Sequence, residues 1–274
     1  MRNRLPLHML AGGSPKRRLI IAAVIVAFTL FSYLGSSSVN PITGEKQKVS
    51  LTVDQEIALG IQSAPEMAQQ YGGLDKDRTA QVLVKKVGGK LLFRGVQKKI
   101  PYQFDFHLLA DQKVVNAFAL PGGQIFITRA LLDRFNSEDQ LAGVIAHEIG
   151  HVLERHGAEH LAKANLTQGL AQAAGIAVYD PNRPGTAAGA QIAQAIGQLV
   201  NMKYGRDDEL ESDRWAVRLT TKAGYRPEAM IEVMEILSEA HKAGRPPEFM
   251  STHPASENRV AVIREEINKL KSLS

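Results

Sequence analysis

The sequence predicts a mainly α-helical protein with one small antiparallel β-sheet, preceded by an N-terminal transmembrane or signal helix. Three observations lead there. Apolar residues recur at helical spacing from Leu51, from Thr79 and through almost everything after Ser137. Three short extended runs gather between Tyr102 and Thr128 around the turn signal Pro121-Gly122-Gly123. Leu19 to Leu34 carries no charge and follows Lys16-Arg17-Arg18. With 274 residues, 44% of them hydrophobic and 22% charged, the chain can bury a sizeable core and does not have a disordered composition.

Taken in order, the first element is the apolar run. Sixteen helical residues cover about 24 Å, short of a hydrocarbon core of roughly 30 Å; extension through Gly35 and Ser36–Ser38 brings the stretch to spanning length. Residues 1–38 read as a signal anchor, or as a signal peptide cut near Gly35–Ser38. In both cases the basic flank stays cytoplasmic and everything after residue 40 lies across the membrane, on the periplasmic or another extracytoplasmic side. Five of the 33 basic residues (Arg2, Arg4, Lys16, Arg17 and Arg18) lie in this segment, which has no acid, and the others balance 28 acidic residues. The net charge of +5 therefore belongs to the N-terminus and does not argue for a nucleic-acid partner.

Residues 39–50 are polar and turn-rich and read as a linker to a domain over 51–274. Thr52 can cap a helix that continues through Glu56, Ile57, Ala58 and Ile61, and Thr79–Leu92 reads as a second helix. Tyr102–Leu109, Val114–Leu120 and Gln124–Thr128 read as strands. Residues Ala158–Tyr204 are rich in Ala, Gln and Gly and are interrupted by Asp180-Pro181-Asn182-Arg183-Pro184-Gly185. They read as two small-residue helices joined by a turn, with little area to bury; the stretch 161–200 is a candidate lid.

Cysteine is absent, which excludes a disulfide framework, a thiolate metal site and a cysteine nucleophile. Any metal must be held by His and carboxylate. His147-Glu148-Ile149-Gly150-His151 supplies two histidines one helical turn apart, so both imidazoles can reach one cation at about 2.0–2.1 Å. Glu148 is rotated by about 100° from His147 and can act on water beside the metal without being a ligand. Leu141–Leu153 is otherwise apolar, so these side chains would be polar groups in a buried helix, which is costly unless they have partners. Ser137, with Gln140 three residues on, has capping-box spacing.

The third ligand comes from elsewhere. A three-histidine variant of the motif is excluded, because Glu154 and Gly157 stand where it needs Gly and His. His156 is turned by about 140° from His151 on a continuous helix, and it and His160 read as structural or surface residues. Glu209-Leu210-Glu211-Ser212-Asp213 offers a carboxylate. Glu209 shares a face with Asp213, which can then accept the free N–H of a ligating His; Glu211 is the alternative, with Trp215 rather than an acid one turn on. An exposed acidic first turn, favoured by the helix dipole, is the third reading.

At this point H-E-I-G-H over 147–151 and E-L-E-S-D over 209–213 resemble the paired motifs of the gluzincin metallopeptidases related to HtpX and the CAAX prenyl endopeptidase. Asn116–Gly123 and Thr252-His253-Pro254 resemble the periplasmic BepA/LoiP-like and mitochondrial Oma-type branch. The resemblance covers roughly residues 50–265. It implies an α+β zincin-like metallopeptidase fold, one Zn2+ per chain held by His147, His151 and Glu209, and cleavage of peptide bonds in misfolded or membrane-associated proteins. This chain has one hydrophobic segment where HtpX and the prenyl endopeptidase have several, so an intramembrane chamber and a prenylated substrate are not expected.

Within that frame Glu148 is the general base, and Asn116, Ala117, Phe118 and Ala119 are the candidate substrate strand, with a purely structural hairpin as the other reading. Asn116 can orient a loop or bond substrate. His253 can stabilise the oxyanion, fill the open metal position in a resting state, or stabilise its loop; Arg259 can pair with a carboxylate there. The competing function is a chaperone-like module that binds unfolded protein and uses zinc only for stability. Intact Glu148 argues against it, since a structural site needs no base.

Overall fold

The computed structural model describes residues 14–96, 99–178, 204–242, 247–254 and 258–273. The protein is mainly helical with small β-structure, and it divides into two compact units.

One unit comprises Met1–Val39, Lys46–Ser50 and Ala158–Met202. Its first helix, α1 (Pro15–Gly35), starts at Ser14, whose hydroxyl accepts from Arg17 N. It is long and apolar enough to cross a membrane, a test that a signal sequence also passes. Leu19, Ile20, Val24, Phe28, Phe31 and Leu34 are exposed along it. Part of the segment expected to be a linker is in a strand pair: β1 (Ser37–Val39), which begins at the end of the expected anchor segment, pairs antiparallel with β2 (Lys46–Lys48). Most of helix α6 (His156–Val178) belongs here, and a Cβ on Gly169 would lie 2.5 Å from Thr29, so α1 and α6 approach closely. The first of the two expected small-residue helices is thus present; the turn at 180–185 and the second helix lie outside the described residues.

The other unit comprises Asn40–Glu45, Leu51–Gly157 and Lys203–Ser274. Thr52 caps α2 (Val53–Gln70) in a full capping box with Gln55, and Asp77 caps α3 (Arg78–Gly95). A three-stranded sheet follows: β3 (Asp105–Leu109), β4 (Ala117–Leu120) and β5 (Gln124–Thr128), in the order β3-β5-β4. β4 and β5 form the expected antiparallel hairpin, with Ala117 opposite Ile127 and Ala119 opposite Ile125. β3 joins β5 in parallel, which alternation alone does not reveal. At the turn, Gly122 and Gly123 have φ of 83° and 115°, and a Cβ on Gly122 would strike the Ile57 backbone at 2.4 Å; only glycine fits.

The short α4 (Arg129–Leu132) leads to α5 (Glu138–Leu153), buried continuously from Gln140 to Leu153. The chain continues through α7 (Arg206–Ala223), α8 (Ala229–Lys242), the five-residue α9 (Glu248–Thr252) and α10 (Arg259–Leu273). α5 is the central element. Leu141, Ile145 and Ile149 pack in one core with Val87 and Leu91 of α3, Ile125 and Ile127 of β5, Val217 of α7 and Ile263 of α10.

Candidate metal centre

The site is built on α5. Ser137 caps it, its hydroxyl accepting from Gln140 N, but Gln140 does not close the expected capping box: its Oε1 accepts from Asn136 N and its amide donates to Glu232. His147, Glu148 and His151 are 0%, 0% and 2% exposed, so the motif is interior. α7 reaches it because residue 150 is glycine. A Cβ there would lie 2.9 Å from Ser212 Cα and 3.0 Å from Trp215 Cβ, so the two helices touch backbone to backbone at that point. This crossing brings Glu209 and Asp213 over the two histidines. α9 delivers His253 at its C-terminus, and Phe249 stacks on the His253 ring at 4.3 Å.

Four donors converge: His147, His151, Glu209 and His253 each offer an atom within 4.8 Å of the others. His147 Nε2 and His151 Nε2 are 3.1 Å apart, and His253 Nδ1 lies 3.3 Å and 3.2 Å from them. Glu209 Oε1 is 2.9 Å from His253 Nδ1 and 3.4 Å from His151 Nε2, with Oε2 3.4 Å from His147 Nε2. Three imidazole nitrogens in mutual contact cannot satisfy one another, since a neutral ring carries one proton. A tetrahedral ion with bonds of about 2.0–2.1 Å holds its nitrogens about 3.3–3.4 Å apart, close to the spacing observed. The donor set therefore fits a small divalent cation.

Electrostatics point the same way. His147 Nδ1 lies 3.0 Å from Asp213 Oδ1, and Arg259 clamps Asp213 through two bonds of 2.7 Å while its Nη1 sits 2.8 Å from Glu209 Oε2. Burial pushes Glu209 and Asp213 towards the neutral acid, yet neighbouring positive charge outweighs it: His253 and His147 hold Glu209 well below the usual carboxylate range, and Arg259 holds Asp213 down. Burial disfavours charge on His147 too, but Glu209 and Asp213 raise it to about 9. The pocket attracts a cation.

Glu148 is not among the donors. Among the described residues its buried carboxylate has no hydrogen-bond partner, His253 Nε2 standing 3.5 Å from Oε1, and desolvation raises its pKa. Tyr204 stacks on His151 at 3.9 Å. On the other side of the site Asn116 donates to Tyr71 Oη and Glu248 Oε1, Tyr71 donates to the same carboxylate, and Phe249 N donates to Val115 O. The side chain of Asn116 thus ties α9, and with it His253, to the start of β4. β4 is the edge of its sheet and packs on α5. Since Thr128 N bonds Asn116 O, the antiparallel alternation turns the N–H and C=O of Phe118 towards β5 and those of Ala117 and Ala119 outwards.

Two residues have contacts that the sequence reading did not expect. His156 was turned away on the assumption of a continuous helix. Instead α5 ends at Leu153, and Arg155, at φ 60° the one left-handed non-glycine among the described residues, turns the chain before α6 begins. His156 Nδ1 consequently lies 2.9 Å from His151 Nδ1, and His156 Nε2 lies 3.0 Å from Glu211 Oε2. Glu211, the alternative ligand, faces His156 rather than the converging donors. No Gly or Pro at 154–155 announces the break; the buried Glu56–Arg155 ion pair that holds it joins residues 99 apart.

Comparison with known proteins fits this geometry. The profile of Peptidase family M48 matches residues 81–267. The chain is 27% identical over 260 residues to the beta-barrel assembly-enhancing protease of Escherichia coli (strain K12), covering 93% of this chain and 52% of the relative. It is 30% identical over 239 residues to the putative beta-barrel assembly-enhancing protease of Vibrio cholerae, covering 85% and 48%. It is 32% identical over 166 residues to the mitochondrial metalloendopeptidase OMA1 of Saccharomyces cerevisiae, covering 58% and 45%. These are members of the branch that the motifs resemble, and the chain spans about half the length of the curated relatives it matches.

Proposed function

The chain belongs to peptidase family M48, and from that premise we propose that it is a zinc-dependent endopeptidase that hydrolyses peptide bonds in misfolded or membrane-associated proteins outside the cytoplasm. One observation carries the reading: Glu148, a buried carboxylate without a hydrogen-bond partner among the described residues, stands beside a cation-shaped cluster of three imidazoles and one carboxylate. In this reading His147, His151 and Glu209 hold one Zn2+. When bound, zinc polarises the scissile carbonyl and lowers the pKa of water to about 7.

The protein's own groups do the rest. Glu148 takes the proton of the attacking water and returns it to the leaving amine nitrogen. Asp213, clamped by Arg259, fixes the His147 ring through Nδ1. Extended substrate adds to the outer edge of β4, where the backbone groups of Ala117 and Ala119 bind its main chain, a mode that tolerates many sequences. An apolar cavity of 320 Å³, lined by Met230, Met234, Leu237, Phe249, Met250 and Val260 and ending on His253 and Arg259, gives room for apolar side chains that folded proteins hide. In this reading His253, whose Nδ1 lies beside the nitrogens of His147 and His151, would occupy a metal position in a resting state and would have to leave with α9 for turnover.

Residues 1–38 act as the anchor or signal, 39–50 as the connection and 51–274 as the peptidase domain, with α1 tethering it to the cytoplasmic membrane. The relatives named for barrel assembly and for mitochondria suggest substrates at membranes and a role in protein quality control.

The second reading, a chaperone-like module with a structural zinc site, draws on His253, because four protein ligands are usual for structural sites. Glu148→Gln separates the two. We expect the variant to keep its zinc and to lose casein cleavage; full cleavage by that variant refutes the enzymatic reading, and absence of cleavage by the parent favours the second.

A further inference from the structure

We infer that His156 and Glu211 form a hydrogen-bond chain that positions His151 for metal binding, a counterpart to the Asp213–Arg259 clamp on His147. The inference rests on the metal-binding reading above and extends it to two residues outside the donor cluster.

Proton counting supplies the argument. His151 presents Nε2 to the cluster, 3.1 Å from His147 Nε2 and 3.2 Å from His253 Nδ1, so as a ligand it keeps its lone pair there and its single proton on Nδ1. That proton needs an acceptor, because the ring is 2% exposed and a buried donor left unsatisfied is costly. The atom in reach is His156 Nδ1 at 2.9 Å. His156 must therefore accept at Nδ1 and carry its own proton on Nε2, which faces Glu211 Oε2 at 3.0 Å. Each link fixes the tautomer of the next, and the chain ends on a carboxylate whose side chain is 41% exposed. Ser212 Oγ, 3.5 Å from His156 Nδ1, adds at most a weak contact.

The backbone is built to allow this. On a continuous helix His156 would point away from His151. The left-handed turn at Arg155 brings it back, and the conformation is held from several directions: Arg155 Nε donates to Glu56 Oε1 at 3.0 Å, Nη2 donates to Leu51 O at 2.9 Å, and Asn40 Nδ2 donates to Leu153 O at 2.8 Å. A strained residue fixed by a buried ion pair is expected where the geometry it enforces is used.

The test measures zinc affinity of the full-length chain by competition with a chromophoric chelator, alongside the visible spectrum of the Co2+-loaded protein. His156→Leu removes the acceptor and should weaken zinc binding by about 10–100-fold and shift the Co2+ bands. His156→Asn puts Oδ1 where Nδ1 stands and should recover most of the loss. Melting of the metal-free forms checks the fold. If His156→Leu fails to fold, Glu211→Ala against Glu211→Gln decides, because Gln still offers an acceptor oxygen to His156 Nε2: Ala should weaken binding several-fold and Gln should not. Parental affinity in His156→Leu, or equal losses for Leu and Asn (for Ala and Gln at 211), overturns the inference. A parent chain that binds no zinc would instead remove the reading on which it rests.

Discussion

Gly150→Ala is a one-atom-group probe of how the site is assembled. The added Cβ would lie 2.9 Å from Ser212 Cα and 3.0 Å from Trp215 Cβ, both fixed to α7. Carbon atoms rest at about 3.5–4.0 Å, so α7 must retreat by about 0.6–1 Å. Overpacking of this kind costs about 1–3 kcal/mol. Alanine offsets up to about 1 kcal/mol of that, being the better helix former. The net loss is then about 0–3 kcal/mol, and at about 2–4 °C per kcal/mol for a chain of this size the melting temperature falls by at most about 12 °C. The site suffers more than the fold. α7 carries Glu209, and ligand distances tolerate only about 0.2 Å. Displacement of about 1 Å should lower cleavage by about 100-fold. The assay pairs a thermal melt with bound zinc at a buffered free-metal concentration and casein cleavage. A Gly150→Ala chain that melts no lower than the parent, holds full zinc and cleaves normally would refute the claim that this close crossing sets the ligand geometry.

Other perturbations separate holding the metal from using it. Glu148→Gln should lower cleavage by about 10²–10⁴-fold while zinc content stays full and the melting temperature does not drop, since among the described residues the buried carboxylate accepts no hydrogen bond and desolvation disfavours its charge; loss of zinc would contradict its place outside the donor set. Arg259→Ala leaves Asp213 buried without its clamping guanidinium and removes one positive neighbour of Glu209, and should cost about 3–5 kcal/mol in urea unfolding; a cost under 1 kcal/mol would mean the clamp is not structural. Ala119→Pro removes an N–H that points away from β5, so it should raise KM for unfolded substrates with little change in melting, whereas Phe118→Pro breaks the ladder; equal destabilisation by both would show that the strand alternation has been read in the wrong phase. Chelation should abolish cleavage and lower the melt yet leave the far-ultraviolet helical signal intact, because the core around Ile145 and Ile149 does not use the cluster; collapse of that signal would argue for a structural metal.

What the sequence disclosed and what it hid follows from range. His147, Glu148 and His151 were legible because one helical turn is enough to state their relation, and Glu209 with Asp213 for the same reason. The hairpin was legible because Pro121-Gly122-Gly123 leaves few alternatives. The parallel β3–β5 pairing was not, since two strands of alternating residues do not reveal their relative direction. The placement of His156 was hidden more deeply: the break at Arg155 has no local signal and depends on Glu56, far away in sequence. Gln140 had the right spacing for a capping box, but Asn136 N and Glu232, the second arriving from α8, supplied better partners.

The four converging donors are not held alike. His147, His151 and Glu209 sit within helices of 16 and 18 residues whose inward faces are wholly buried, and two of them are fixed from behind by Asp213 or His156. His253 sits just past a five-residue helix held by Phe249 N on Val115 O, by Tyr204 N on Thr252 O, by the buried Phe249 ring, and by the grip of Asn116 and Tyr71 on Glu248, a side chain at the surface. Removing three of the donors means disrupting the core. Removing His253 means moving one short helix, part of whose hold comes from Val115 and Asn116 at the start of the edge strand. On the proposed reading, a peptide added to β4 would reach the same strand end and would compete with α9 where Asn116 ties it. Substrate arrival and departure of His253 would then be coupled through Asn116, and Asn116→Ala should loosen α9 and raise cleavage of short peptides without changing the number of zinc ions bound. Reduced cleavage at unchanged zinc content would instead assign the Asn116 amide to the substrate.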